Sequence, residues 1–303
     1  MITGFQAGVM GTGGPPLVTA TGATLSTITV GSDEYRVLQW LTAGSYTLSV
    51  ANLASLAIEY LVIGGGGSGA TWAGGGGGAV GYRSGSVSLV GGNHIVTVGA
   101  GGVWVDSATD SSGAASVLSS ITAAGGGRGG YAYANGFAGA SGGGAGNGAL
   151  QSGGAGNTPS TSPSQGNSGA SISDRAGGGG GGIGANGSPP AGGINVNESP
   201  GGNGGAGATS TITGASVARG GGGGGGARTG GSNNWAGGTA SAGGGAGGSV
   251  TTSAAGNGAN GTANTGGGGG SAGRYAALSG TAGNGGSGVV ILRFLSSLAS
   301  VQV

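Results

Sequence analysis

Glu59-Tyr60-Leu61-Val62-Ile63-Gly64-Gly65-Gly66-Gly67 passes, across one peptide bond, from an apolar β-branched run into uninterrupted glycine. Val, Ile and Tyr suit a pleated, half-buried strand, whereas glycine loses more backbone entropy on ordering than any other residue. The segment after Ile63 is therefore either a disordered tether or a structure that uses the missing Cβ. The same choice recurs along the chain, since 89 of its 303 residues are glycine, with runs at 64–67, 74–78, 177–182, 220–226 and 266–270.

Composition argues for order. Disordered segments are typically charged and poor in aromatic and β-branched residues, yet 5% of this chain is charged. Flexible linkers are monotonous, while these runs are interrupted by Trp72, Tyr131, Tyr133, Phe137, Trp235, Tyr275 and single arginines. A collagen triple helix needs glycine at every third position and abundant proline. Seven prolines and frequent Gly-Gly pairs exclude it. The surviving option is polyproline II geometry, with about three residues per turn, about 3.1 Å rise and outward-facing amides that neighbouring helices can bond. Interior helices of such a bundle need glycine at two or three positions per turn, as in the segments 142–148 and 201–207.

Outward from the junction, Thr24 to Val30, Tyr35 to Leu41, Ser45 to Val50 and Ala57 to Ile63 read as strands separated by turn signals. Residues 85–90 and 93–98 read as a hairpin closed by Gly91-Gly92, a pair suited to positive φ. Residues 114–123 add a further strand, and Gly288-Val289-Val290-Ile291-Leu292-Arg293-Phe294 returns to strand character and is expected to pair with the first sheet. The expected class is mainly β plus segments that are neither α nor β: an N-terminal antiparallel β-sandwich or meander, a polyglycine II helix bundle, and a closing C-terminal strand. The expected units are an N-terminal β-rich attachment region at 1–56, a hairpin framework at 57–123, a glycine sandwich with loops at 124–288, and a C-terminal strand and tail at 289–303. No single repeat length holds, which argues against a regular solenoid.

The net charge of +1 leaves no electrostatic footprint for nucleic acid or an anionic membrane. Every basic residue apart from one histidine is arginine, and without cysteine there is no disulfide framework or thiol chemistry. Glu59 and Arg293 interrupt the longest apolar stretches, so no membrane insertion is expected. Met1-Ile2-Thr3-Gly4-Phe5-Gln6 lacks a basic region and an apolar core, so no secretory signal is expected.

Catalytic chemistry finds no foothold. The phosphate-loop likeness of residues 64–71 lacks its lysine, and Gly-x-Gly-x-x-Gly matches arise by chance at this glycine content. His94 has no cysteine or paired carboxylate near it in sequence. Asp106 and Asp110 read as a polar turn, without the recurring Gly-Asp positions of a calcium β-roll. The chain is expected not to be an enzyme and to need no cofactor or metal. The residues that interrupt glycine are the recognition candidates: Tyr131, Tyr133, Phe137, Arg228, Trp235 and Tyr275. Aromatic rings give large contact area at low entropic cost. Their other reading is that they close the ends of the glycine slab. For Arg128, Arg175, Arg219, Arg228 and Arg274 the expected role is donation to carbonyls at segment ends.

The segments Glu59 to Gly67, Gly74 to Gly78, Gly81 to Leu89, His94 to Gly102 and Gly285 to Phe294 resemble the glycine-rich domain of bacteriophage virion and tail proteins. In architecture the chain is also similar to the distal adhesins that cap T-even-like long tail fibres, a polyglycine II sandwich bearing receptor-binding loops. The resemblance implies a virion protein made in the host cytoplasm, attached to other tail proteins through the N-terminal β region and touching a host surface protein or glycan. A homo-oligomer, including a trimer, is compatible with it. The alternatives are a decoration or assembly protein with no receptor role, and an ice-binding bundle, which expects a regular repeat and paired cysteines that this chain lacks.

Overall fold

Val289–Leu295 is the strand on which the architecture turns, because its side chains alternate between two apolar clusters. The computed structural model describes residues 14–106, 109–148, 150–173, 175–192 and 197–303. The first residues of the expected attachment region, 1–13, and part of the loop at 188–200 lie outside these. Among the described residues there is no α-helix. The strands are β1 (Leu17–Ala20), β2 (Thr24–Val30), β3 (Asp33–Trp40), β4 (Gly44–Ile63), β5 (Tyr82–Val98), β6 (Ser116–Leu118) and β7 (Ile121–Ala123). They continue with β8 (Ala208–Ser210), β9 (Val217–Arg219), β10 (Arg228–Thr229), β11 (Arg274–Tyr275), β12 (Leu278–Ser279), β13 (Val289–Leu295) and β14 (Ser300–Gln302).

The principal sheet is open and mostly antiparallel, in the order β2-β3-β13-β4-β5-β6-β7, with β1 on the other half of β4 and β14 parallel to β1. β13 inserts between β3 and β4, with Val290 opposite both Trp40 and Val62. Val290, Leu292 and Phe294 join Leu38, Trp40, Leu48 and Val62 on one face. Val289 and Ile291 join Val37, Leu61, Ile63, Val80 and Ile212 on the other. Because side chains alternate every residue along a strand, the strand is apolar without a break from Val289 to Leu292: both of its faces are covered, one by sheet residues and the other by residues of the glycine-rich part. Arg293, the single charge in the strand, is bonded by Nη2 to Glu59 Oε2 at 2.7 Å and lies 5.0 Å from the Tyr35 ring centroid.

The expected hairpin around Gly91-Gly92 does not form. Residues 85–90 and 93–98 belong to the single strand β5, and both pair with β4, which fuses the two short strands expected at 45–50 and 57–63. The glycine pair serves a register shift between Val50 and Ser55 instead of a turn. At Gly91 a Cβ would run into the Leu53 carbonyl oxygen, and Gly92 has φ of 129°. A glycine pair supplies positive φ equally to a turn and to a bulge. The continuous partner strand decides between them. The strand expected at 114–123 is instead the short hairpin β6–β7.

Beyond Ile63 the chain leaves the sheet, and its amides bond a different segment at each successive residue. Gly64, Gly67 and Ala70 donate to Gly81, Gly78 and Gly75; Gly65 and Ser68 to Ala114 and Ser111; Gly66 and Gly69 to Gly286 and Gly283. The partner returns every third residue. In the same way Gly75 and Gly78 donate to Gly130 and Gly127, Gly76 and Ala79 to Gly178 and Gly181, and Gly77 to Gly269. Such close approach in several directions excludes side chains. A Cβ on Gly76 would overlap the Gly223 carbonyl oxygen, and one on Gly223 the Gly269 oxygen.

Fixing a backbone costs about 1–2 kcal/mol per residue, while a net hydrogen bond contributes about 0.5–1.5 kcal/mol. A buried amide left without its bond costs a further 1–3 kcal/mol or so. The runs are therefore stable when every direction is filled and not otherwise. Gly223→Ala is expected to lower the unfolding free energy by roughly 2 kcal/mol or more, in line with overpacking of a tight interior. Gly230→Ala, where the nearest atom is Glu198 Oε1 at 3.8 Å, is expected to change it by less than about 0.5 kcal/mol. Urea denaturation of the two variants checks this contrast.

Candidate functional site

The hydrogen-bond registers give each run a direction. The runs that begin at 64 and 124 follow β4 and β7 out of the principal sheet. Gly126 and Gly129 bond Gly65 and Ser68, so these two run alike. Gly269 and Ala272 bond Gly67 and Ala70, and Gly268 and Ser271 bond Gly221 and Gly224, which aligns the runs at 266–273 and 220–227 with them. The run at 177–182 is opposite, since Gly177 and Gly180 bond Gly226 and Gly223. Trp72, Tyr131, Tyr133, Arg228 and Arg274, each beyond the last glycine of a run, and Arg175, ahead of the first glycine of one, are thereby brought to the end away from the principal sheet. Trp235 is at the same end, because Ala236 accepts from Gly201 while Gly202 bonds Gly177.

At this end β10 pairs in parallel with β11, and the register sets Arg228 beside Arg274 and Thr229 beside Tyr275. β12 returns from β11 through Ala276, whose φ is 47°. Arg274 donates from Nε to the Ala276 carbonyl at 3.0 Å, and its guanidinium lies 5.2 Å from the Trp72 ring centroid. Trp72 is held in turn by the Ser279 hydroxyl, which accepts from its amide at 2.9 Å. Tyr133 is 60% exposed, with φ of 58°, and Arg274 lies within hydrogen-bonding reach of its hydroxyl. The Tyr133 phenol therefore titrates below the usual tyrosine range, through that contact first and then through the charges of Arg274, Arg228 and Arg175, against the opposing effect of desolvation. Burial lowers the Arg228 pKa first, and Arg274 and Arg175 lower it further, against the charge and hydrogen bond of the Tyr133 hydroxyl, which raise it. Its Nη1 is enclosed and has no hydrogen-bond partner.

The sequence candidates divide. Tyr133, Arg228 and Tyr275 come together around Arg274, with Tyr275 beside Gly231. Trp235 adjoins them on a separate loop, bridged to Val250, near the Glu198 carboxylate that accepts from Ser232 and Asn233. Tyr131 lies toward Arg128, and Phe137 is woven by its backbone into the slab, accepting from Gly143 and donating to Arg128. Arg128 has the expected carbonyl-donor role, with Nη1 2.7 Å from Thr109 O. Arg228 differs in that its Nη1 is enclosed and meets no acceptor, while its guanidinium lies within hydrogen-bonding reach of the Tyr133 hydroxyl. Sequence reasoning misses Trp72 as a site residue and assigns Arg274 only to carbonyl donation. The available signal is position, since each stands just beyond a glycine run.

His94 is a satisfied strand residue, with Nδ1 3.0 Å from Ser119 Oγ and Nε2 2.8 Å from Val90 O. Asp106 accepts from Thr71 Oγ1 and Asp110 from Ser112, as turn residues do. A groove of about 340 Å³ at the sheet end is lined by Tyr60, Tyr82, Ser86, Thr209 and the Glu59–Arg293 pair, and it holds none of the candidates.

Arg274→Gln is expected to raise the Tyr133 pKa toward the ordinary tyrosine value by removing the first cause of its depression. Ring-carbon chemical shifts of Tyr133 followed through an alkaline titration check the direction.

No curated protein matches the chain significantly. A family described as a glycine-rich domain matches residues 41–295, from just before β4 to the last residue of β13. The chain belongs to this glycine-rich domain family.

Proposed function

We propose that the chain is a recognition protein of a virion, placed at a tail fibre or tail tip, which binds a host-cell surface through loops carried on polyglycine II helices. Three-residue recurrence of bonding partners supports the helix reading, because polyproline II geometry has about three residues per turn. At about 3.1 Å per residue, an eight-residue run separates its ends by roughly 25 Å. In this reading the principal sheet faces other tail proteins and the far end faces the host.

The observation that carries the proposal is the segregation of the two ends. Apolar strands gather at one, while Trp72, Tyr133, Arg228, Trp235, Arg274 and Tyr275 gather at the other. Tyr133 is exposed and the other five are partly buried, and aromatic and arginine side chains on rigid supports are the usual anchors of recognition surfaces. The partners proposed are tail proteins and a host surface protein or glycan, and the setting is a particle assembled in the host cytoplasm.

Fluorescently labelled protein is expected to bind cells of the host. Trp235→Ala, or deletion of residues 228–236 with the fold retained, is expected to reduce that binding at least about tenfold, as loss of an interface anchor does. Unchanged cell binding by both variants, or failure of particle assembly with binding intact, would count against the adhesin reading and favour an assembly role.

A further inference from the structure

We propose that the Arg228–Arg274 pair is an anion-binding site, and that its ligand is a saccharide bearing a carboxylate or phosphate group. This deepens the recognition reading and rests on it for the source of the ligand.

Three observations converge. The β10–β11 register places two guanidinium side chains on directly neighbouring positions, an arrangement that is unfavourable for like charges on adjacent strands. Neither arginine forms an ion pair with a carboxylate among the described residues, where the ion pair is Arg293 with Glu59. Arg228 also has an enclosed Nη1 with no bonded acceptor, although buried donors are normally satisfied. An anion bridging the pair relieves the repulsion and supplies the acceptor.

The surrounding groups are oriented for this. Arg274 is held over Trp72 at 5.2 Å and tied to the Ala276 carbonyl at 3.0 Å through Nε, which leaves its terminal nitrogens for the Tyr133 hydroxyl and a ligand. Glu198, one residue from the Ser199 that bridges to the Arg228 backbone, is engaged by Ser232 and Asn233. Asp174, next to Arg175 in sequence, lies outside the described residues. Arginine presents a planar fork that matches carboxylate and phosphate oxygens. Tyr133, 60% exposed, adjoins both arginines, and an exposed aromatic face gives a sugar ring contact area at low entropic cost.

The test compares glucose, glucuronate and glucose 6-phosphate, which share a ring and differ in charge, by titration against the full chain with tryptophan fluorescence and the amide shifts of Trp72, Tyr133, Arg228 and Arg274 as readouts. Glucuronate or glucose 6-phosphate is expected to bind at least about tenfold more tightly than glucose, and the difference between the two acids identifies which group the site takes. Binding is expected to weaken with added salt and to fall about tenfold or more in Arg274→Gln. Arg228→Gln is expected to act likewise, with Arg274→Gln as the safeguard should the more enclosed position fail to fold. Equal binding of all three sugars, or none by either acid, overturns the proposal. Cell binding without acid-sugar binding leaves the adhesin reading standing and removes this one; acid-sugar binding without cell binding does the reverse.

Discussion

A buried amide must be bonded, and in the glycine runs that demand is met in several directions by other glycine runs. Gly76 illustrates it: its amide donates to Gly178, its carbonyl accepts from Gly144, and a Cβ would collide with Gly223. No run is stable by itself, because one hydrogen bond per residue roughly balances the entropy of fixing that residue. Order requires all neighbours at once. It also requires a register, which the principal sheet provides: β4, β7 and β13 each join a glycine segment directly to a strand whose pairing is set by alternating apolar side chains. The sheet is thus the clamp and the glycine runs are the span.

Position along the runs then determines what the molecule presents. Because the registers fix which runs are parallel, residues far apart in sequence such as Trp72, Tyr133, Arg228 and Arg274 are brought to one end without any long strand between them. Their supports are two-residue strands and turns with positive φ at Trp72, Tyr133 and Ala276. A side chain mounted there loses little further freedom on binding, which favours affinity through preorganisation. The arginines also repel one another, and in the proposed site that repulsion favours an anionic partner.

Much of the sheet is legible in the sequence, since the strands at Thr24, Tyr35, Ala57 and Val289 carry β-branched residues in short runs bounded by turn signals. The Gly91-Gly92 pair reads as a hairpin because glycine supplies positive φ equally to a turn and to a bulge, and the length of the partner strand is hidden in residues 51–56, which carry no clear alternation. The candidate site is partly legible. Tyr133, Arg228 and Tyr275 stand out as interruptions of glycine, but their convergence on Arg274 and Trp72 depends on the mutual direction of runs up to about two hundred residues apart in the chain. No local pattern encodes that direction. Phe137 looks equivalent to Tyr133 in the sequence and differs because it sits inside a segment whose backbone is bonded on both sides.

If the glycine runs form one cooperative hydrogen-bonded body clamped by the sheet, their amides open only when the sheet does. Amide hydrogen exchange at Gly76, Gly180, Gly223 and Gly269, set beside Leu61 and Ile291 in the sheet, is the decisive measurement. The glycine amides are expected to exchange as slowly as the sheet amides, through the same global opening. Exchange of those glycines at the rate of an unstructured chain, with Leu61 and Ile291 still protected, would show that the runs are not part of that body.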